Sequence, residues 1–179
     1  MSLLKNKHIV IIGGTTGLGL SAAKAFITNG AGIVVTGRNA DNLEAAKKML
    51  GDNAAFTEGD ATKTGTAENA INTCLQQFGA FDGLYHVAGG SGRKMGDGPL
   101  HEITLDGWNA TLELNLTSLM LSNRAAIKKF LELKKGGTIL NMSSVLGYSP
   151  SPEFFSTHGY AAAKSAVIGF SKSVAAYYA

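Results

Sequence analysis

A short apolar run, His8-Ile9-Val10-Ile11-Ile12, breaks off into Gly13-Gly14-Thr15-Thr16-Gly17-Leu18-Gly19 and then into residues with helical periodicity. No other feature of the chain constrains its fold as tightly. A nearly all-apolar strand bounded at once by glycines suits a strand buried on both faces of a parallel sheet. Leu20, Ala23, Phe26 and Ile27 follow at helical spacing, Asn29-Gly30 stops the helix, and Ile33-Val34-Val35 reads as a second buried strand. Read from Gly17, the turn is Gly-x-Gly-x-x-Ala, a form of the dinucleotide fingerprint. Its glycines let the backbone turn tightly and approach a pyrophosphate, which then sits on helix N–H groups at the positive end of the helix dipole. Gly13, Thr15, Thr16, Gly17, Leu18 and Gly19 are therefore candidate cofactor-binding residues.

The second strand ends in Thr36-Gly37-Arg38-Asn39, where the fingerprint most often carries an acidic residue for the ribose 2′-hydroxyl of NAD. An aspartate repels a 2′-phosphate, whereas an arginine fork pairs with it in bidentate fashion. Arg38, with Asn39 beside it, therefore favours NADP(H) over NAD(H).

The same alternation continues. Asn39 caps a helix whose first turn holds Asp41 and Glu44 and which ends near Leu50-Gly51. Ala54 to Thr57 is a third strand, Thr66 to Phe78 a helix, and Phe81 to Val87 a fourth strand that exits through Ala88-Gly89-Gly90. Trp108, Leu112, Leu116, Leu119, Ile127 and Phe130 mark one long helix from about Thr104 to Lys134, and Thr138 to Met142 is a fifth strand. Strands alternating with helices predict an α/β protein with a doubly wound parallel sheet of Rossmann type. Ligands of such sheets bind beyond the carboxyl ends of the strands. Asp60, Ala61, Ala88, Gly89, Gly90, Ser143 and Ser144 all follow predicted strands.

Composition narrows the function classes. The 179 residues, 45% of them apolar, suffice for one domain over residues 1–179, and three prolines leave no linker. A formal charge of +3 from scattered lysines does not imply nucleic acid. No apolar run reaches the roughly 18 residues of a membrane span, and no metal site is expected. The single cysteine, Cys74, lies on an apolar helix face with Ile71, Leu75 and Phe78 and reads as a core thiol in a reducing, cytoplasmic compartment.

Tyr160 and Lys164 stand four residues apart in Tyr160-Ala161-Ala162-Ala163-Lys164, so on a helix they share one face. A phenol with a pKa near ~10 is a poor acid at neutral pH, and lowering it by three units takes about 4 kcal/mol of preferential phenolate stabilisation. A neighbouring cation supplies part of that.

Taken in order, Gly13-x-x-x-Gly17-x-Gly19, Asp60, Ala88-Gly89, Asn115, Ser144 and Tyr160-x-x-x-Lys164 resemble the short-chain dehydrogenases/reductases, in their short rather than extended branch. The resemblance runs from Lys7 to the last residue. It implies that Tyr160 is the general acid and base of a hydride transfer between an alcohol and a ketone or aldehyde. Lys164 would lower the Tyr160 pKa and bind the nicotinamide ribose. Ser144 would hold the substrate oxygen, Asn115 a proton-relay water, and Asp60 with Ala61 the adenine. Ser143 is the neighbouring alternative, and Ser144 is favoured because it falls on the family motif. The resemblance also implies a homo-oligomer, dimer or tetramer, acting on a small carbonyl or alcohol substrate. A nucleotide-binding or redox-sensing protein without catalysis, on the same scaffold, is the alternative, and an epimerase or dehydratase a weaker one.

Two departures from the family pattern stand out. His86-Val87 replaces the usual pair of asparagines before Ala88-Gly89, and His86 reads as a structural replacement. The stretch from Ser144 to Tyr160 is long and carries Tyr148, Phe154, Phe155 and His158, aromatics that either wall a substrate pocket or pack on neighbouring loops. Ser171 to Ala179 still reads as helix without a stop signal, whereas family members continue with further strands, so the chain is expected to be incomplete at its C-terminus.

Overall fold

The computed structural model describes residues 2–179, which form two compact units. The first comprises residues 2–88 and 119–140, and the second residues 89–118 and 141–179.

The first unit is built on a five-stranded sheet of β1 (His8–Ile12), β2 (Gly32–Gly37), β3 (Ala54–Glu58), β4 (Gly83–His86) and β5 (Thr138–Asn141), in the order β3-β2-β1-β4-β5. β1 pairs in parallel with both β2 and β4, and β2 with β3. The register places Ile11 between Val35 and Tyr85, and Val10 between Val34 and Leu84. Side chains alternate across a strand, so each set meets a different layer of helices. Val10, Val34 and Leu84 join Ile71 and Cys74 of α3 (Thr66–Phe78) and Ala126 and Phe130 of α5 (Ser118–Glu132) in one core. On the opposite face, the Tyr85 ring lies 6.2 Å from that of Phe26, on α1 (Gly17–Thr28). The doubly wound α/β layout expected from the alternation is present. β4 is shorter than expected, and Phe81, ahead of it, is buried in the core with its ring stacked 4.7 Å from that of Phe130.

Cys74 is fully buried, and burial, with some help from the negative charge of Asp82, pushes its thiol up to about 12. A raised acid pKa means that the unfolded chain ionises first, so alkali costs the fold stability as pH climbs from 9.0 towards about 12. We expect native protein at pH 8 to show no labelling by a thiol reagent on a time scale that labels the denatured chain fully. Rapid labelling of the native form removes Cys74 from the core.

The second unit contains α4 (Leu105–Leu112), a π-helical turn over Glu113–Thr117, and α6 (His158–Tyr178). The single helix expected from Thr104 to Lys134 is thus not continuous, since a π turn separates α4 from α5. A π turn replaces the ordinary i→i+4 hydrogen bonds by i→i+5 bonds and is found frequently at functional sites. Asn115 stands inside it. No helix among the described residues is long and apolar enough to cross a membrane.

Candidate active site

In the first unit, the chain leaves β1 through Gly13 at φ +92°, a left-handed conformation that favours glycine. A Cβ there would lie 2.6 Å from the backbone nitrogen of Ala88, and one at Gly19 would fall on the carbonyl oxygen of Gly13. The loop, the first turn of α1 and the exit of β4 therefore pack backbone to backbone. The Cβ position of Gly17, by contrast, faces open space. α1 starts without a side-chain cap and without an acidic residue in its first turn, so its first N–H groups keep their affinity for an anion. A pyrophosphate would fit this uncapped start of α1.

Thr15 is buried, and its side chain occupies the space that a Cβ on Gly37 would need. Close packing there sets the end of β2, after which Arg38 and Asn39 are exposed. Asn39 caps α2 (Ala40–Leu50) as expected, its Oδ1 accepting from the Asn42 N–H at 2.8 Å. The Asp60 carboxylate accepts from the N–H and the hydroxyl of Thr62, both at 2.9 Å. The Thr62 N–H chiefly, with Arg38 and Lys63 adding positive charge, holds that carboxyl below its ordinary value. Arg38 is thus near enough to Asp60 for their charges to interact. Asp60 does not cap α3, whose cap residue is Gly65, with Glu68 reaching back to the Gly65 N–H.

His86, at the end of β4, is buried and shares a 2.7 Å hydrogen bond between its Nδ1 and the Ser122 hydroxyl. That is the structural part expected of it. A cavity of about 470 Å³ in this unit, lined by Phe26, Leu84, Tyr85 and Leu140 among others, contains none of the candidate residues.

The second unit gathers the rest. Asn115 is fully buried, its Oδ1 accepting from the Gly90 N–H at 3.0 Å and its Nδ2 donating to the carbonyls of Gly90 (2.9 Å) and Thr111 (3.0 Å). A Cβ on Gly89 would lie 2.7 Å from Asn115 Oδ1 and 3.4 Å from Lys164 Nζ. The small residue at position 89 therefore lets the amide of Asn115 and the ammonium of Lys164 approach the same stretch of backbone.

Lys164 is only 3% exposed, and its Nζ donates to the carbonyl of Met142 at 2.8 Å. Burial pulls its pKa below the ordinary value. Tyr160, one turn earlier on α6, presents its ring 5.6 Å from Lys164 Nζ. The helical spacing predicted from the sequence is realised, with a phenol and a buried ammonium on one face.

The two serines are told apart by their partners. The Ser143 hydroxyl donates to the Lys164 carbonyl at 2.8 Å, whereas Ser144 Oγ accepts from the Leu146 N–H at 3.2 Å. Ser144 keeps its hydroxyl proton for another acceptor, while Ser143 has given its own to the backbone.

The sequence gives no sign of a role for Asp97, which lies between Gly96 and Gly98. It is 4% exposed, and its carboxylate accepts from the N–H groups of Gly159 (2.9 Å) and Tyr160 (2.8 Å). In the long aromatic stretch, Tyr148, Phe154 and Phe155 are exposed. Arg93 donates to the Phe154 carbonyl at 2.8 Å and lies 5.8 Å from the Phe155 ring centroid.

The family model described as short chain dehydrogenase matches residues 7–179. The chain is 33% identical over 174 residues to the NADP-dependent (R)-specific alcohol dehydrogenase of Lentilactobacillus kefiri, covering 96% of this chain and 66% of that protein. It is 33% identical to 2-(S)-hydroxypropyl-CoM dehydrogenase 3 of Xanthobacter autotrophicus, covering 98% of this chain and 67% of that one. With 3beta-hydroxysteroid dehydrogenase 2 of Eggerthella lenta the identity is 31%, over 99% of this chain and 67% of that protein. This chain thus spans about two thirds of the length of these relatives. A short chain dehydrogenase of Bacillus anthracis superposes with a TM-score of 0.88 at 27% identity, covering 98% of this chain and 71% of that one. One from Mycobacterium smegmatis gives 0.85 at 29%, covering 95% and 69%.

Proposed function

The chain belongs to the short-chain dehydrogenase/reductase family, and from that premise we propose that it is an NADP(H)-dependent oxidoreductase interconverting an alcohol and a ketone or aldehyde. The observation that carries this reading is the pairing on α6 of the Tyr160 ring with the buried Lys164 ammonium, 5.6 Å apart. Residues 1–179 carry both the cofactor-binding and the catalytic residues.

When bound, the nicotinamide supplies or accepts the hydride. In the reducing direction Tyr160 Oη gives its proton to the carbonyl oxygen as negative charge develops there. The Ser144 hydroxyl donates a second hydrogen bond to that oxygen and stabilises the same charge. The Lys164 ammonium favours the phenolate left behind and binds the nicotinamide ribose. Asn115 holds the Gly90 backbone in place, and the family resemblance gives it the relay water that returns the proton. The glycine loop takes the pyrophosphate, with Asp60 and Ala61 at the adenine and Ala88, Gly89 and Gly90 along the cofactor. The alternative without catalysis is not favoured, because the relatives are named as dehydrogenases.

Cofactor choice rests on Arg38, with Asn39 beside it. The exposed guanidinium pairs with a 2′-phosphate, and one relative is named as NADP-dependent. We expect kcat/KM with NADPH to exceed that with NADH by about tenfold or more, and Arg38→Asp to reverse the order, since each tenfold corresponds to about 1.4 kcal/mol. Steady-state assays of the full-length protein with both cofactors decide it. A wild-type preference for NADH sinks the NADP assignment and leaves the hydride chemistry standing. The same protein, examined by sedimentation, is expected to be a dimer or tetramer.

A further inference from the structure

We infer that Asp97 is a positioning residue that holds the first turn of α6, and with it the Tyr160–Lys164 pair, in its working geometry; this rests on the reading of that pair as the proton-transfer centre. The first N–H groups of any helix lack intrahelical acceptors, and a local Ser, Thr, Asp or Asn usually takes one of them. α6 has no such help. Its cap residue, Thr157, makes no side-chain capping bond, and no acidic residue stands in its first turn. Tyr160 is the third residue of the helix, within the turn that frays most readily.

Asp97 fills the missing role from 62 and 63 residues away in sequence, with one carboxylate oxygen on the Gly159 N–H and the other on the Tyr160 N–H. The charge also complements the positive end of the helix. The clamp is itself held. The Asp97 N–H donates to the Gly92 carbonyl at 3.0 Å, and the Met95 N–H to the same oxygen at 2.8 Å. Gly90, at the start of this loop, is pinned by Asn115. A Cβ on Gly92 would lie 2.7 Å from that of Asp97, and one on Gly159 would lie 3.2 Å from the Asp97 carboxyl carbon. One short loop therefore ties Asn115 at one end to the backbone of Tyr160 at the other.

Three variants test this in the full-length protein: Asp97→Asn, which loses one of two acceptors, Asp97→Ala, which loses both, and Gly159→Ala. The last separates positioning from stability. Alanine is the better helix former, so a purely structural view expects Gly159→Ala to keep its turnover, whereas its Cβ would press on the Asp97 carboxylate and loosen the clamp. We expect all three to lower kcat, by about tenfold for Asp97→Asn and up to about a hundredfold for Asp97→Ala, the scale on which misplaced catalytic groups lose rate. KM for the carbonyl and the dissociation constant for NADPH should change much less than kcat, since Asp97 is placed against backbone N–H groups. Unchanged kcat in Asp97→Asn overturns the inference. So does full turnover in Gly159→Ala alongside Asp97 variants that lose kcat and cofactor affinity together. If the wild-type protein turns over no carbonyl or alcohol, the functional reading fails, and amide hydrogen exchange decides on Asp97 alone. Protection at Gly159 and Tyr160 must then drop about tenfold or more in Asp97→Asn, and equal protection removes Asp97 from the role.

Discussion

Tyr160→Phe is expected to lower kcat about a thousandfold, within the range for loss of a general acid, while NADPH binds with nearly unchanged affinity. A thousandfold loss is about 4 kcal/mol of transition-state stabilisation. The substitution removes one oxygen and keeps the ring that lies over Lys164. It also keeps the backbone N–H held by Asp97, so α6 should start where it does in the wild type. The fold should hardly notice, because no hydrogen bond of the Tyr160 hydroxyl is present among the described residues, and a melting temperature close to that of the wild type serves as the control. Turnover is to be measured with full-length protein on a panel of ketones and aldehydes, and the cofactor by fluorescence titration. Activity within about tenfold of the wild type takes Tyr160 out of the acid's role.

The second large effect is expected at Gly19. Helix propensity alone makes Gly19→Ala stabilising by up to about 1 kcal/mol, because the position lies inside α1. Packing has the opposite sign and wins. The new Cβ would fall on the Gly13 carbonyl oxygen and lie 2.8 Å from the Gly14 Cα, both backbone atoms of a turn fixed between β1 and α1. Overpacking of this kind costs about 1–3 kcal/mol or more. Because the same turn forms the anion cradle, NADPH affinity should fall by about a hundredfold or more, close to 3 kcal/mol. Gly17→Ala is the comparison. Its Cβ would stand in open space, and only the left-handed conformation at φ +51° is penalised, by about 1–2 kcal/mol. Calorimetry and cofactor titration on both variants check the order. A Gly19→Ala protein that melts higher and binds NADPH normally shows that the backbone yields where this packing says it cannot.

Much of this was legible in the chain. The strand before the glycine loop, the helix from Thr66 to Phe78 and the cap at Asn39 follow from patterns a few residues long, and the structure has them where local chemistry puts them. The break in the long helix was not legible. Leu112, Leu116 and Leu119 keep an apolar spacing straight through it, and the cause of the π turn is not in their pattern. Asn115 bonds to Gly90, twenty-five residues earlier, a partner that helical periodicity cannot reveal.

The sequence by itself determined the parallel α/β architecture, the glycine loop, Arg38 at the end of the second strand and the shared face of Tyr160 and Lys164. Each of these depends on spacing along one element or across one turn, which the 2.0 and 3.6 residue periods and the glycine positions encode directly. Tertiary structure alone decided that the proton of Ser143 goes to the Lys164 carbonyl while that of Ser144 does not, and that Lys164 is buried on the Met142 carbonyl. It alone showed that an aspartate between two glycines caps the helix carrying Tyr160. Apart from the local Ser144–Leu146 bond, those outcomes depend on hydrogen bonds and desolvation between residues about 20 to 60 positions apart, and every backbone donor or acceptor looks alike until the fold brings one to it.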